Sequence, residues 1–348
     1  MKVAYFTALR QLKIVDEPEP GLSADGDVLL RIDRVGVCGS DVHYYVNGRI
    51  GDQVVRYPES LGHECAGTVM EVGPAVEALA PGDRVAVDPA LACGACDQCR
   101  AGRTNTCRHL RFMGSPGQAP GAVAEYRIMP AACCYRIPDS MSLETAALIE
   151  PLSVGLQAAR VGEVYPAVRA AVLGAGPIGL SVLLCAKALA RSTIYVADLF
   201  DERLEMARRC GADWTGNADR EDVGEKIARY EPEGLDLVFE CSGNPACINQ
   251  GLKMLAPGGT LVVIGIPATA EVAFDLHRMR TFELSVKNVR RQLGCIGPSI
   301  RLLGTGQIDA SGLVTHRFGL AEIRDAFELV AGYRDGVIKA MLELSPAE

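Results

Sequence analysis

Between about residue 145 and residue 285 the apolar positions fall into short unbroken runs separated by stretches of helical spacing. Arg169–Leu173, Thr193–Ala197, Leu235–Phe239 and Thr260–Gly265 predict buried strands. Pro177–Ala190, Asp201–Arg209 (ended by Gly211), Glu221–Tyr230 and Pro245–Leu255 predict the helices between them. Unbroken apolar strands alternating with helices predict a doubly wound parallel sheet covered on both faces. The first third has another rhythm. Val28–Ile32, Val69–Val72 and Arg84–Val87 are β-prone runs punctuated by Gly36, Gly48, Gly62, Gly67, Gly73 and Gly82, which predicts a twisted, barrel-like antiparallel unit. That style returns after residue 285, with a helix at Leu320–Ala331 and a strand at Lys339–Leu344. The α/β unit (148–284) is therefore read as inserted between two segments, 1–147 and 285–348, of a β-rich domain.

Composition narrows the function. The 348 residues suit two domains, and 49% hydrophobic with 22% charged residues excludes a disordered chain or a coiled coil. Lys and Arg number 35 against 43 Asp and Glu, a formal charge of −8, which does not suit a protein that grips nucleic acid or anionic membranes. A single Trp214 and 5% aromatics argue against base stacking. The first twenty residues carry Lys2, Arg10, Lys13, Asp16, Glu17 and Glu19 and contain no signal-peptide core. The longest charge-free apolar stretch, Ala170–Ala186, is shorter than the roughly 20 residues of a membrane span. A soluble, cytoplasmic protein is expected.

Two motifs carry recognisable chemistry. Gly174-Ala-Gly176-Pro177-Ile178-Gly179 follows an apolar strand and opens a helix, and Asp198 ends the next strand. Gly174 permits a tight turn, Gly176 lets backbone approach a pyrophosphate, and Gly179 lets the helix sit close to the strand. The helix N-terminus then faces the phosphates. Asp198 can accept hydrogen bonds from a ribose 2′-hydroxyl and repels a 2′-phosphate, so the expected cofactor is NAD; Arg203 could soften that repulsion or stack on adenine.

The second motif is a metal cluster. Cys93, Cys96, Cys99 and Cys107 supply four thiolates in one loop, a density that fits a closed, structural zinc; ligand count alone also admits an iron–sulfur cluster. In a chain without a signal peptide, thirteen cysteines point to metal binding rather than disulfides. A sparser set is Cys38 in Gly36-Val-Cys38-Gly-Ser40-Asp41-Val-His43-Tyr44, and His63-Glu64 after Gly62. Cysteine, histidine and a carboxylate with a fourth position open fit a catalytic zinc.

Here the residues resemble a known family. Gly62-His63-Glu64-x2-Gly67-x5-Gly73-x2-Val76 resembles the signature of the zinc-containing medium-chain alcohol dehydrogenases. Cys38-Gly-Ser-Asp-Val-His-Tyr, Glu150-Pro-Leu-Ser-Val-Gly and Val289-Arg-Arg291-Gln292 make the chain similar to the polyol branch, the sorbitol (L-iditol) dehydrogenases. The resemblance implies a GroES-like catalytic domain in two segments around a Rossmann domain, with the active site in the cleft between. It implies Cys38 and His63 as catalytic-zinc ligands, with Glu64 or Glu150 as the third. Asp41 would orient the zinc histidine, and Ser40 and His43 would relay a proton to solvent. Tyr44, Glu150, Arg291 and Gln292 would contact substrate. Ile264, Gly265 and Ile266 join the glycine motif, Asp198 and Arg203 as cofactor contacts. Gln292 stands where the animal sorbitol enzymes have Tyr, and those of mammals lack the four-cysteine lobe.

The implied function is reversible, zinc- and NAD-dependent oxidation of a secondary hydroxyl of a polyol (sorbitol, iditol or xylitol) to a ketose, with two zinc ions per chain. The small polyol is the implied partner, without nucleic acid or membrane. A homotetramer is implied, with pairing at the strand near Leu261–Ile266 or its neighbour. The alternatives are threonine dehydrogenase, whose pocket strand reads differently from Asn288-Val289-Arg290-Arg291-Gln292, and a butanediol-type dehydrogenase. A non-enzymatic zinc-lobe protein would leave Cys38, His63, Glu64 and Asp198 unexplained.

Overall fold

A computed structural model of the chain describes residues 1–267 and 269–345, which divide into two units: Met1–Glu150, Ile296–Gly304 and from Val314 onward, and Pro151–Cys295 with Thr305–Leu313. In the first unit, β1 (Lys2–Ala8) and β2 (Gln11–Asp16) form an antiparallel hairpin. β3 (Asp27–Gly36) leads into a helix, α1 (Gly39–Asn47), and β4 (Glu64–Val72), β5 (Arg84–Val87), β6 (Tyr126–Pro130) and β7 (Cys134–Arg136) follow.

β3 is the hub. Along its length it pairs with β4; its first half also pairs with β6. This double use explains the imperfect alternation of its sequence: burial alternates from Asp27 to Ile32, and every residue from Ile32 to Gly36 is buried. The core beside it holds Phe6, Tyr45 and Phe327, whose rings meet at 5.2–6.0 Å between centroids. Each such aromatic pair contributes about 0.5–1.5 kcal/mol beyond its buried area.

The second unit is a six-stranded parallel sheet of β8 (Arg169–Leu173), β9 (Thr193–Asp198), β10 (Trp214–Asn217), β11 (Leu235–Glu240), β12 (Leu255–Val263) and β13 (Ser285–Asn288), with α2 (Pro177–Leu189) following β8. Its spatial order is β10-β9-β8-β11-β12-β13. This is the Rossmann order, which reverses direction between β8 and β11; ligands bind beyond the carboxyl ends of the strands at such a reversal. β12 is paired on both sides and β13 forms the edge, so among the described residues only the second of the two strands considered for pairing between subunits, the neighbour of Leu261–Ile266, is unpaired on one side. The unit runs past residue 284 because β13 adds to this sheet rather than to the β-rich one.

The chain then returns to the first unit with β14 (Val314–Gly319), a helix at Ile323–Ala331 and β15 (Lys339–Glu343). β15 runs antiparallel to the second half of β3 and parallel to β14, completing a sheet ordered β7-β5-β4-β3-β15-β14. Among the described residues no helix is long and apolar enough to cross a membrane.

Candidate metal centres and dinucleotide site

The turn from β3 into α1 builds the first site. Cys38 is the N-cap of α1, its carbonyl accepting from Val42 N–H at 3.1 Å while its thiol makes no capping bond. The thiol accepts instead from the Ser40 hydroxyl at 3.2 Å. His63 and Glu64 sit where the chain enters β4, Glu64 opposite Gly36 of β3. The donor atoms of Cys38, His63 and Glu64 all lie within 4.8 Å of one another, and Glu150 stands outside that set.

Three features of this cluster bear on a metal. His63 is buried, with its ring 5.2 Å from that of Phe112. Asp41 Oδ1 is 3.6 Å from His63 Nδ1, beyond hydrogen-bond distance, and neither buried Asp41 oxygen has a hydrogen-bond partner. Burial disfavours a charged His63, but Asp41 and Cys38 outweigh it and raise its pKa well above the usual histidine value. A cation on the far ring nitrogen would leave the Nδ1 proton for Asp41, an arrangement common to metal-bound histidines. The donor set, one thiol, one imidazole and one carboxylate, fits zinc with a position left open.

Glu150 lies in the first turn of the helix Ile149–Val161. Burial pushes its carboxyl up to about 7 against the opposing pull of His63, and Glu64 adds to the rise. On α1, one turn beyond Ser40, His43 Nδ1 is 3.5 Å from the Asn47 amide; burial lowers the pKa of His43. Tyr44 is buried and its hydroxyl donates to Gln53 Oε1 at 2.7 Å.

The four-cysteine loop forms a separate cluster, with all four sulfurs within 4.8 Å of one another. Zinc–sulfur bonds of about 2.3 Å imply tetrahedral edges of about 3.8 Å. The Cys96–Cys99, Cys96–Cys107 and Cys93–Cys99 separations are 3.6, 3.8 and 4.0 Å. Backbone N–H groups of Cys99 and Arg108 lower the Cys96 thiol to about 6, so one ligand of the set is readily ionised. The loop is braced outside the cluster by the Arg108–Asp97 pair, 2.5 and 2.8 Å.

In the second unit, Gly174 adopts φ +101°, and a side chain on it would crowd the Ser242 backbone; one on Gly179 would overlap the Gly174 carbonyl. At Gly176, by contrast, an added Cβ would meet only the Arg203 guanidinium at 3.7 Å, so the N-terminal approach to α2 is open. Asp198 closes β9. Its Oδ2 accepts from Ala175 N–H at 2.6 Å and its Oδ1 from Leu199 and Phe200 N–H at 2.8 and 3.0 Å. Arg203 stands 3.9 Å from Asp198 and 5.2 Å over the Phe200 ring. Pro177 and Ile178 begin α2. Ile264 and Gly265 follow β12 and donate to the Glu240 carbonyl, and Ile266 is exposed. Arg291 takes a left-handed φ of +54°, and Gln292 Oε1 accepts from Cys295 N–H at 2.8 Å, so part of this amide is occupied in shaping its own turn.

Three residues of these sites escaped the sequence reading. Buried Glu240 ends β11, and its Oε1 accepts from the Ser242 N–H and hydroxyl and the Gly243 N–H at 2.6–2.8 Å; an acid ending an apolar strand, as Asp198 does, was the available signal. Gln53 carried no signal. Neither did Lys339, whose Nζ lies 2.8 and 2.6 Å from the two oxygens of Glu64.

Both units match family models: the alcohol dehydrogenase GroES-like domain over residues 24–139 and the zinc-binding dehydrogenase over residues 177–301. The chain belongs to the zinc-binding, medium-chain alcohol dehydrogenase family and is an enzyme of that class. Within it, sorbitol dehydrogenase of Bacillus subtilis is 38% identical over 343 residues, 98% of this chain and 97% of that protein. L-idonate 5-dehydrogenase of Vitis vinifera is 36% identical over 349 residues, 98% and 94% of the two chains. A Sinorhizobium meliloti protein described as a zinc-binding dehydrogenase, solved bound to NADP, superposes with a TM-score of 0.90 at 30% identity, covering 99% of each chain.

Proposed function

We propose that this chain is a polyol dehydrogenase that uses zinc and NAD to oxidise a secondary hydroxyl to a ketone, reversibly. The observation that carries the reading is the convergence of Cys38, His63 and Glu64 in a buried pocket beside the orphaned carboxylate of Asp41. Zinc, when bound, supplies Lewis acidity toward a substrate oxygen; the nicotinamide supplies the hydride acceptor. The chain's own groups do the rest. Cys38, His63 and Glu64 hold the metal, Asp41 holds the His63 ring in one tautomer, and Glu150, whose carboxyl burial raises in the metal-free protein, stands by as an acid–base group. Ser40, bonded to the Cys38 thiol, passes a proton along α1 toward His43, which burial keeps neutral and able to accept it.

Tyr44 supports a hydroxylated substrate. Its hydroxyl donates to Gln53 Oε1 at 2.7 Å, a polar pair at the helix that follows Cys38, which suits a hydroxyl-rich substrate better than a hydrocarbon one. By the resemblance, Arg291 is a further polar contact for a vicinal diol or longer polyol. Sequence identity to a sorbitol dehydrogenase supports the same class. Asp198 supports NAD over NADP, and Cys93, Cys96, Cys99 and Cys107 support a second, structural zinc.

The test is a substrate panel of four- to six-carbon polyols, L-idonate, 2,3-butanediol, threonine and 2-propanol, followed by the absorbance of reduced cofactor. Polyols should exceed 2-propanol by roughly a hundredfold in kcat/KM, the worth of one or two unpaired polar groups. If threonine or 2-propanol outran every polyol, the substrate reading would fall and the alcohol dehydrogenase class would stand.

A further inference from the structure

Lys339 has no part in the chemistry above, yet it is one of the largest fully buried side chains, 1% exposed. Lysine is almost never buried to this degree unless paired. All three of its N–H donors are used: on Glu64 Oε1 at 2.8 Å, on Glu64 Oε2 at 2.6 Å and on the Val37 carbonyl at 3.2 Å. The sheet makes this meeting. β3 lies between β4 and β15, with Gly36 opposite Glu64 on one side and Met341 on the other. A side chain at Gly36 would run into the Glu64 carboxylate, so the glycine clears its place. One ammonium thus grips both oxygens of one donor of the metal set and the backbone immediately before another, Cys38.

We propose that Lys339 is the positioning residue of this metal centre: it holds Glu64 in register while the site is empty and moderates the hold of Glu64 on the metal once the site is filled. The inference rests on the reading of Cys38, His63 and Glu64 as metal ligands. Its logic is charge compensation. The thiolate of Cys38 and the carboxylate of Glu64 bring two negative charges, which a divalent ion matches by itself. In the empty site Lys339 is the counter-ion of Glu64, and a buried carboxylate without one is costly. Removing the ammonium therefore raises the free energy of the empty protein more than that of the loaded protein. By linkage, the metal then binds more tightly. Lys339 is in this sense a brake on affinity that keeps the third ligand exchangeable.

The experiment uses the full chain purified with zinc, as wild type, Lys339→Met, Lys339→Gln and Lys339→Arg. Zinc release to a chelator is followed by absorbance, with the phase of the three-donor site identified by its absence in Cys38→Ala; the rise in Tm on adding zinc back is measured in parallel. Lys339→Met and Lys339→Gln should release that zinc at least tenfold more slowly and gain more Tm from zinc than wild type, while Lys339→Arg should behave as wild type. A merely structural ion pair predicts the opposite: looser zinc in the neutral variants. Unchanged or faster release, or failure of both neutral variants to fold even with excess zinc, overturns the proposal. If wild type holds zinc only at the four cysteines, the metal-site reading itself fails; if it holds two and release is unchanged, only the role of Lys339 falls.

Discussion

Cofactor choice is the sharpest consequence of the second unit, and Asp198→Asn is the perturbation that exposes it. In the wild type a unit charge sits at the end of β9, where the ribose of a dinucleotide is received. Against a 2′-phosphate about 4 Å away the repulsion is roughly 4 kcal/mol per unit charge at an effective dielectric of 20. Arg203, 3.9 Å from the carboxylate, cancels part of it. A remainder of about 1.4 kcal/mol, tenfold, is the least the arrangement should give in favour of NAD. The asparagine variant loses this repulsion and also disturbs the turn that holds residue 198. Three backbone N–H groups, of Ala175, Leu199 and Phe200, point at the two carboxylate oxygens. An amide has one oxygen, so its NH2 must face at least one N–H donor, at about 1–3 kcal/mol. That cost falls on both cofactors alike, so the NAD:NADP ratio of kcat/KM should fall by the lost repulsion alone, roughly tenfold. The assay is steady-state kinetics with each cofactor at a fixed polyol concentration, with Tm confirming that the variant is folded. Equal use of the two cofactors by the wild type, or a ratio that moves less than about threefold in the variant, refutes the reasoning.

Further outcomes follow from the other sites. On the proposed two-zinc reading, Cys38→Ala should remove one zinc and all activity while leaving Tm within a few degrees, whereas Cys96→Ala should lower Tm markedly, because a closed four-thiolate site contributes to folding and an open one contributes little; metal analysis and thermal unfolding distinguish them. Tyr44→Phe and Gln53→Leu should raise KM for polyols more than for 2-propanol, since each disturbs the same oriented hydroxyl; kinetics on both substrates decides it. In the metal-depleted protein the Glu150 carboxyl is raised to about 7, so the folded state binds its proton more tightly than the unfolded chain does. Stability from this group is then fully present below about pH 4.5 and declines as pH rises toward about 7, and Glu150→Gln should flatten that part of a Tm-against-pH curve.

Four of the six strands of the second unit and the helices between them were legible in the sequence, because strands buried on both faces are continuous apolar runs; the edge strands Trp214–Asn217 and Ser285–Asn288, shorter and more polar, were not. The helix predicted from Glu221 begins at Val223 behind its Asp222 cap, and the one predicted to Leu255 stops at Met254, differences of a residue or two. The first unit was less so. The helix α1, which carries Ser40, Asp41, His43 and Tyr44, starts from a cysteine that makes no side-chain cap, so the usual signal of a helix start is missing. The hairpin β1–β2 and the helix Ile296–Gly304 also went unread, although β1 is a nearly continuous apolar run. The four cysteines announced their cluster through local spacing. The grip of Lys339 on Glu64 could not be announced in that way, because it joins residues 275 positions apart through the pairing of three strands.

That separation bears on the order in which the enzyme comes into being. Domains form from the N-terminus as the chain is synthesised. The contiguous stretch Pro151–Cys295 has all six of its strands in hand before β15 emerges. The first unit does not: β3 has no partner along one side of its second half, and Glu64 no counter-ion, until β15 is made. Closing a loop that long costs little more entropy than closing a short one, since the penalty grows only with the logarithm of length. What is delayed is timing rather than stability. A nascent chain holds its dinucleotide fold while the strands around Cys38, His63 and Glu64 are still an open-edged sheet around an unpaired acid, and β15 completes the sheet and supplies the charge in one step.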